Sequence, residues 1–154
     1  MPTMTKRSLE YALKSETGHG GAPAAKRAAA EPPRAPHLAK GRMGEDIAAE
    51  YLTGHGFKIL DRNVKIGRCE VDIIARDGDE LVFAEVRTRS EGWMMSPAES
   101  VGPKKLANLQ YAGRAWTEGR NYDGFWRVDL VAVTLAEGRE PLIEHLRDIT
   151  EPII

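Results

Sequence analysis

An α/β (α+β) fold, with helices packed on a central mixed β-sheet, is predicted by three features of the chain. Patterned segments follow one another in the order helix, three strands, helix, strand, with a short edge strand after them. An Asp77-Gly78-Asp79 turn joins two strand-like runs as a hairpin. Two helical runs, Gly41–Thr53 and Pro103 to about Glu118, stand in that order beside the strands, as helices set against a central sheet do.

Gly41–Thr53 reads as the first helix: Gly44, Ile47, Ala48, Tyr51 and Leu52 fall on one arc of the helical wheel, and Asp46 and Glu50 face away. Gly54-His55-Gly56 ends it, and His55 between two glycines reads as a turn residue. Phe57–Lys65 and Glu70–Arg76 are the first two strands, and the chain returns through Leu81–Thr88. A polar loop with Pro97 follows, and Pro103 opens a second helix that runs to about Glu118. Trp126–Leu135 is the next strand, and Leu142–Ile149 adds the edge.

Composition limits what such a fold can be. Of 154 residues, 42% are apolar and 29% charged, as in a soluble globular protein. The longest apolar runs, such as Leu81-Val82-Phe83-Ala84, fall far short of the roughly 18 residues of a membrane span. No apolar signal segment opens the sequence, and one cysteine, Cys69, allows neither an intrachain disulfide nor a multi-cysteine zinc site. The expectation is a cytoplasmic protein without a membrane partner. Net charge is −1 overall, but it divides unevenly: residues 1–40 carry 7 basic and 3 acidic groups, and residues 41–154 carry 15 and 20. Residues 1–40, rich in Ala, Gly and Pro, are expected to be a disordered basic extension, and residues 41–154 the folded domain. A net acidic domain argues against a broad DNA-binding surface, yet it suits a metal-dependent enzyme whose ions offset the carboxylates.

The informative residues flank the hairpin. If the turn loop is 77–78, Asp72 pairs with Phe83, and if it is 78–79, Asp72 pairs with Glu85. Both registers put Asp72 and Glu85 on one face, within reach of a shared ion. Glu70 and Arg87 join that face by the period of two, and the opposite face carries Val71, Ile73, Val82, Ala84 and Val86. Carboxylates in central strands are costly unless they are paired or hold a metal. Magnesium fits such a pair because it takes oxygen ligands, keeps several waters and needs only one or two carboxylates. The competing reading is a buried ion-pair network in which Arg87 and Arg127 neutralise the two acids. Glu45 sits at the border of the first helix's apolar arc, where it can point to the sheet or simply favour the helix dipole. Lys105 falls inside the second helix's apolar stripe, either as a site cation or as a snorkelling stem, while Lys104 faces out. Asp129 shares a strand face with Arg127, and Glu70, Glu99 and Asp129 complete the acidic candidates. Cys69 reads as structural. Trp93 and Met94-Met95 lie in the loop after the site strand, either packed there or available to a partner or a base.

Taken together, Gly44-Glu45-Asp46, Glu70-Val71-Asp72-Ile73-Ile74-Ala75-Arg76-Asp77-Gly78 and Val82-Phe83-Ala84-Glu85-Val86-Arg87-Thr88-Arg89 resemble the YraN-like family of bacterial proteins. Ser96-Pro97-Ala98-Glu99-Ser100-Val101, Lys105 and Arg127-Val128-Asp129-Leu130-Val131-Ala132-Val133 extend the resemblance from about Lys40 to Val133. That family is similar to the PD-(D/E)xK nucleases, and most closely to archaeal Holliday-junction resolvases. The resemblance implies a restriction-endonuclease-like sheet flanked by helices, a Mg2+ or Mn2+ cofactor, and a DNA substrate favoured over RNA, including branched DNA. It assigns Asp72 and Glu85 as metal ligands, Glu45 as a third acidic contributor and the Val86 carbonyl as a further ligand. Arg87 stands where the superfamily usually has lysine, and an arginine stays protonated, so it cannot act as a general base. Asp72, Glu85, Arg87 and Lys105 are thus the expected catalytic set, and Arg89, Lys104 and Lys105 the expected nucleic-acid contacts. Two-fold substrates and the likeness to resolvases imply a homodimer by analogy. A non-catalytic nucleic-acid-binding module and a protein-interaction domain are the alternatives.

Overall fold

The structure, a computed structural model, describes residues 36–150, so most of the expected extension at residues 1–40 lies outside the described residues. The elements are α1 (Pro36–Gly54), β1 (Lys58–Ile66), β2 (Cys69–Asp77), β3 (Glu80–Ser90), α2 (Pro103–Gly119), β4 (Trp126–Leu135) and β5 (Leu142–Leu146). A single 3-10 turn at Ala98–Ser100 precedes α2. The five strands form one mixed sheet in sequence order. β3 and β4 are parallel, joined through α2, and every other neighbouring pair is antiparallel. This is the predicted α+β class, arranged as the restriction-endonuclease-like expectation requires. Two boundaries move: the first helix begins at Pro36 rather than Gly41, and the edge strand ends at Leu146 rather than Ile149.

Each face of the sheet takes one helix. On one side Ala48 and Leu52 of α1 pack against Ile73, Ala75, Val82, Ala84, Val131 and Val133. On the other, Leu109, Ala112 and Trp116 of α2 pack against Val71, Ile74, Leu81, Phe83 and Val128. Residues Leu81–Val86 of β3 are therefore buried without interruption, as expected for a strand covered on both faces. Gly44 lets α1 close on β3, because a Cβ there would collide with the Thr88 side chain. Gly113 does the same for α2 against the Trp126 ring.

The hairpin adopts the register with Gly78-Asp79 as its loop: Asp77 faces Glu80, and the ladder continues to Ile73 opposite Ala84. Gly78 takes a φ of +58°, the left-handed conformation that a two-residue hairpin loop needs at its first position. Beyond Ile73 the two strands part. β2 stays paired with β1 down to Cys69, whereas β3 continues along β4 to Ser90. The predicted grouping of Val71 with Ile73 is corrected here, since Val71 lies on the α2 side and Ile73 on the α1 side. The slip has a visible cause. Asn63, flanked by the Arg62–Ile73 and Val64–Val71 pairs, has φ +52° and breaks the alternation of β1, which β2 follows. Asparagine is among the few residues that tolerate this region.

A second polar cluster ties the far end of the sheet. Arg127 donates to Asp129 (2.9 Å), Glu80 (3.0 Å) and Asp77 (2.8 Å). Asp129, fully buried, also accepts from His145 Nε2 (2.8 Å) and from the Asp148 backbone N–H (3.0 Å). Burial alone would raise the Asp129 pKa, but the His145, Arg127 and Asp148 bonds outweigh it and hold the carboxyl below its usual range. The sequence expectation that Arg127 neutralises the Asp72–Glu85 pair is thereby corrected: its carboxylates are Asp77, Glu80 and Asp129. Replacing Asp129 with Ala leaves Arg127 its bonds to Asp77 and Glu80 but removes the buried acceptor shared by Arg127, His145 and the Asp148 N–H. The expected loss is about 3–5 kcal/mol of stability in a denaturant titration. A loss below about 1 kcal/mol, the level of an exposed ion pair, would contradict this role.

Candidate metal centre at the strand fork

The parting of β2 from β3 opens a fork, and the acids found in the sequence stand at its mouth. Asp72 caps the opening from β2: the Val86 N–H of β3 donates to its Oδ2 at 2.8 Å. The N–H and C=O of one strand residue point to the same edge, so the Val86 carbonyl also faces the fork. Glu85, 5% exposed, projects to the α2 side beside Asp72, and the two carboxyls lie within hydrogen-bonding reach of each other. Two cations flank Glu85. Lys105, in the first turn of α2, places Nζ 3.5 Å from Oε2, and Arg87 places Nε 3.4 Å from Oε1.

These contacts do not neutralise the pair. Burial pushes the Glu85 carboxyl up to about 7, and the neighbouring Asp72 charge adds to the rise against the pull of Lys105 and Arg87. Asp72 is also raised, first by burial, despite the Val86 bond and the Lys105 charge. Glu85 Oε2 and Arg87 Nε are buried without a hydrogen bond. An oxygen-only recess with two repelling carboxylates, one under-satisfied oxygen and a main-chain carbonyl suits a small hard cation that brings its own water. It does not suit a closed protein cage, for among the described residues no three His, Cys, Asp or Glu side chains converge on one point.

Glu45 approaches from α1, behind Gly44. Its pKa is raised first by burial and then by Asp72, against Arg62 and an Asn63 side-chain hydrogen bond. The Asp72 charge thus raises both Glu85 and Glu45, and exposed Glu70 adds a weaker repulsion to Asp72 and Glu45. Asn63 is a residue that sequence reasoning missed. Its one signal was a turn-type residue inside an alternating strand. Cys69 is buried in the α2-side core with its thiol pushed up by burial, in keeping with a structural role.

The remaining candidates lie elsewhere. Asp129 belongs to the clasp with Arg127 and His145. Glu99 accepts from the Ser96 N–H (3.0 Å) while the Ser96 hydroxyl accepts from the Glu99 N–H (3.3 Å), a reciprocal cap on the 3-10 turn. Arg89 is largely buried and bonds Thr134 Oγ1 (3.1 Å) and the Met95 carbonyl, so its guanidinium secures a loop. Lys104 is exposed at the start of α2.

The raised Glu85 pKa has a signed consequence for the metal-free protein. The folded state holds the Glu85 proton up to about 7, whereas an ordinary glutamate releases it near 4.5. The folded state binds more protons across that window, so stability falls as pH rises from about 4.5 to 7. Thermal melts in a chelator should show this decline, and Glu85→Gln should flatten it. A wild-type melting temperature that climbs steadily over the window would contradict the burial of this charge.

Comparison with known proteins places the chain among bacterial relatives. A UPF0102 protein of Pseudarthrobacter chlorophenolicus is 44% identical over 112 residues, covering 72% of this chain and 85% of the relative. One from Anaeromyxobacter dehalogenans is 46% identical over 108 residues (70% and 80%), and one from Streptomyces coelicolor is 44% identical over 114 (72% and 88%). The family model for "Uncharacterised protein family UPF0102" matches residues 44–133, a span that contains Glu45, Asn63, Asp72, Glu85, Arg87 and Lys105. With more than half of its length matched and relatives at this level of identity, the chain belongs to uncharacterised protein family UPF0102, the YraN-like family that its motifs resemble.

Proposed function

We propose that this chain is a metal-dependent phosphodiesterase that cleaves DNA. The observation that carries the reading is the pair of carboxyls at the fork, buried Glu85 beside half-buried Asp72, both with raised pKa values and flanked by Arg87 and Lys105. Asp72, Glu85 and the Val86 carbonyl would hold Mg2+ or Mn2+, with Glu45 reaching it through water. The ion would lower the pKa of a bound water and polarise the scissile phosphate.

The chain's own groups supply the rest. Arg87 and Lys105 bring positive charge to where a phosphoryl oxygen gains negative charge, and they do so from positions fixed by Glu85. Arg87 is partly exposed, so its guanidinium reaches both the carboxylate behind it and a phosphate in front. It remains charged at any ordinary pH, so its part is electrostatic. No helix among the described residues is long and apolar enough to cross a membrane. Branched DNA as substrate and a homodimer to match its two-fold symmetry belong to the same reading, by analogy with the resolvases that the motifs resemble.

A second reading rests on the contacts of Arg87 and Lys105 with Glu85: an ion-pair network that only holds the fork. One set of variants separates the two. Wild type should cut labelled linear, flapped or four-way DNA with Mg2+ or Mn2+, and Asp72→Asn should not. The same ions should raise the melting temperature by mass action on the folded state, and Glu85→Gln should abolish the rise. Arg87→Lys should keep cleavage within about tenfold, or about 1.4 kcal/mol in the barrier, while Arg87→Ala loses on the order of 10² to 10³-fold. If Arg87 serves only the network, Arg87→Ala instead lowers stability and the metal shift is absent. The loss is then less than the roughly 3–5 kcal/mol of a fully buried pair, because Arg87 is partly exposed and Lys105 still faces Glu85.

A further inference from the structure

Past Arg87, β3 runs into a second recess that the acid pair does not occupy. Lys40 of α1, Arg87 and Ser90 of β3, and Trp93 and Met95 of the following loop line a cavity of about 360 Å³, within the size range of small-ligand sites. Its charged lining residues are Lys40, Arg87 and Arg89, all cationic, although residues 41–154 carry five more acidic than basic groups. Arg89 is taken up by Glu144 at 3.7 Å, which leaves Lys40 and the partly exposed Arg87 to meet a ligand. A cation-lined recess on an acidic domain selects for an anion. The rim is aromatic. Trp93 is 61% exposed beside Met95 at 44%, an unusual setting for so large an apolar ring.

This rim is anchored. Arg89 holds the Met95 carbonyl and Thr134 Oγ1 together, fixing the loop to the sheet two residues from Trp93. Lys40 Nζ donates to Ser90 Oγ at 2.5 Å, which uses one of the three ammonium donors and keeps the charge at the recess. An exposed tryptophan in an anchored loop, beside two cations, has the two elements of single-strand recognition, a stacking platform and a phosphate contact. Within a duplex the base faces are already stacked on each other, so away from the two ends only an unpaired base can meet the ring.

We propose that this recess takes an unpaired nucleotide, its base on Trp93 and its phosphate on Lys40 and Arg87, and so presents the fork with a phosphodiester next to a single-stranded segment. The proposal rests on the nuclease reading of the fork for its consequence, and its test needs no cleavage. Tryptophan emission of the full chain in chelator is titrated with a short oligodeoxythymidylate and with a blunt duplex. Trp116 is buried and Trp126 half-buried, so Trp93 is the exposed reporter. The single strand should quench emission and the blunt duplex should not. Trp93→Leu, with an unchanged melting temperature, should lose the quench and bind about tenfold more weakly, and Trp93→Phe should restore affinity. Lys40→Gln should reduce the salt slope of binding by about 0.7. Equal quenching by the duplex, or unchanged affinity in Trp93→Leu, overturns the proposal. So does emission that varies with protein concentration alone, which would assign the face to a second copy of the chain. The two readings fail separately: wild type that binds the single strand but cuts nothing with Mg2+ refutes the nuclease reading and keeps the recess. Wild type that cuts DNA while Trp93→Leu binds normally refutes only the recess.

Discussion

The hydrogen bond from the Val86 N–H to the Asp72 carboxylate is the constraint on which the rest of the centre depends. Where β2 leaves β3, the inner edge of β3 loses its ladder partner, and a buried N–H without one costs free energy comparable to a lost hydrogen bond. A carboxylate fills that role, so one side chain closes the sheet and brings a negative charge to its interior. The charge then sets the character of everything near it. Glu85 is pushed toward its neutral form, Glu45 likewise, and Arg87 and Lys105 are drawn in from strand and helix. Structural need and chemical potential meet in the same oxygen atoms.

The two sides of the sheet divide the electrostatic work. At the fork, cations lie 3.4 and 3.5 Å from Glu85 and leave an oxygen without a hydrogen bond. In the Asp129 clasp, four short hydrogen bonds from Arg127, His145 and the Asp148 N–H converge on one carboxylate. Buried carboxylates of similar solvent exposure thus move in opposite directions, one raised and the other lowered. Saturation marks a residue that holds the fold, and incomplete satisfaction marks one with capacity for a ligand.

Much of this was legible in the sequence because it follows from the period of a strand. The Asp77-Gly78-Asp79 turn and the alternation on either side put Asp72 and Glu85 together in both possible registers, and the structure selects the one with Gly78-Asp79 as the loop. Pro103 and the apolar stripe behind it fixed α2, and with it the direction of Lys105. What escaped was set by tertiary context. A left-handed Asn63 leaves no trace in a hydrophobic pattern, yet it moves Val71 to the other face. Arg127 paired with different acids because it lies on the α1 side of the sheet, beyond the reach of Glu85. Lys40 was assigned to the extension because charge and composition change gradually there, while the helix begins earlier, at Pro36.

The Asp129 clasp also ties the stretch that the family model matches to the segment after it. The matched stretch ends at Val133, and Asp129 lies within it. Two of its three partners, His145 and the Asp148 N–H, lie beyond that end. β5, which the same segment supplies, pairs with Leu130–Thr134 of β4 and covers an edge that would otherwise stand open. A piece cut at the limits of the family model would retain every group of the fork, yet it would have a naked sheet edge and a half-dressed buried anion beside it. The stretch that the family model matches is therefore shorter than the stretch whose contacts complete the sheet and the clasp.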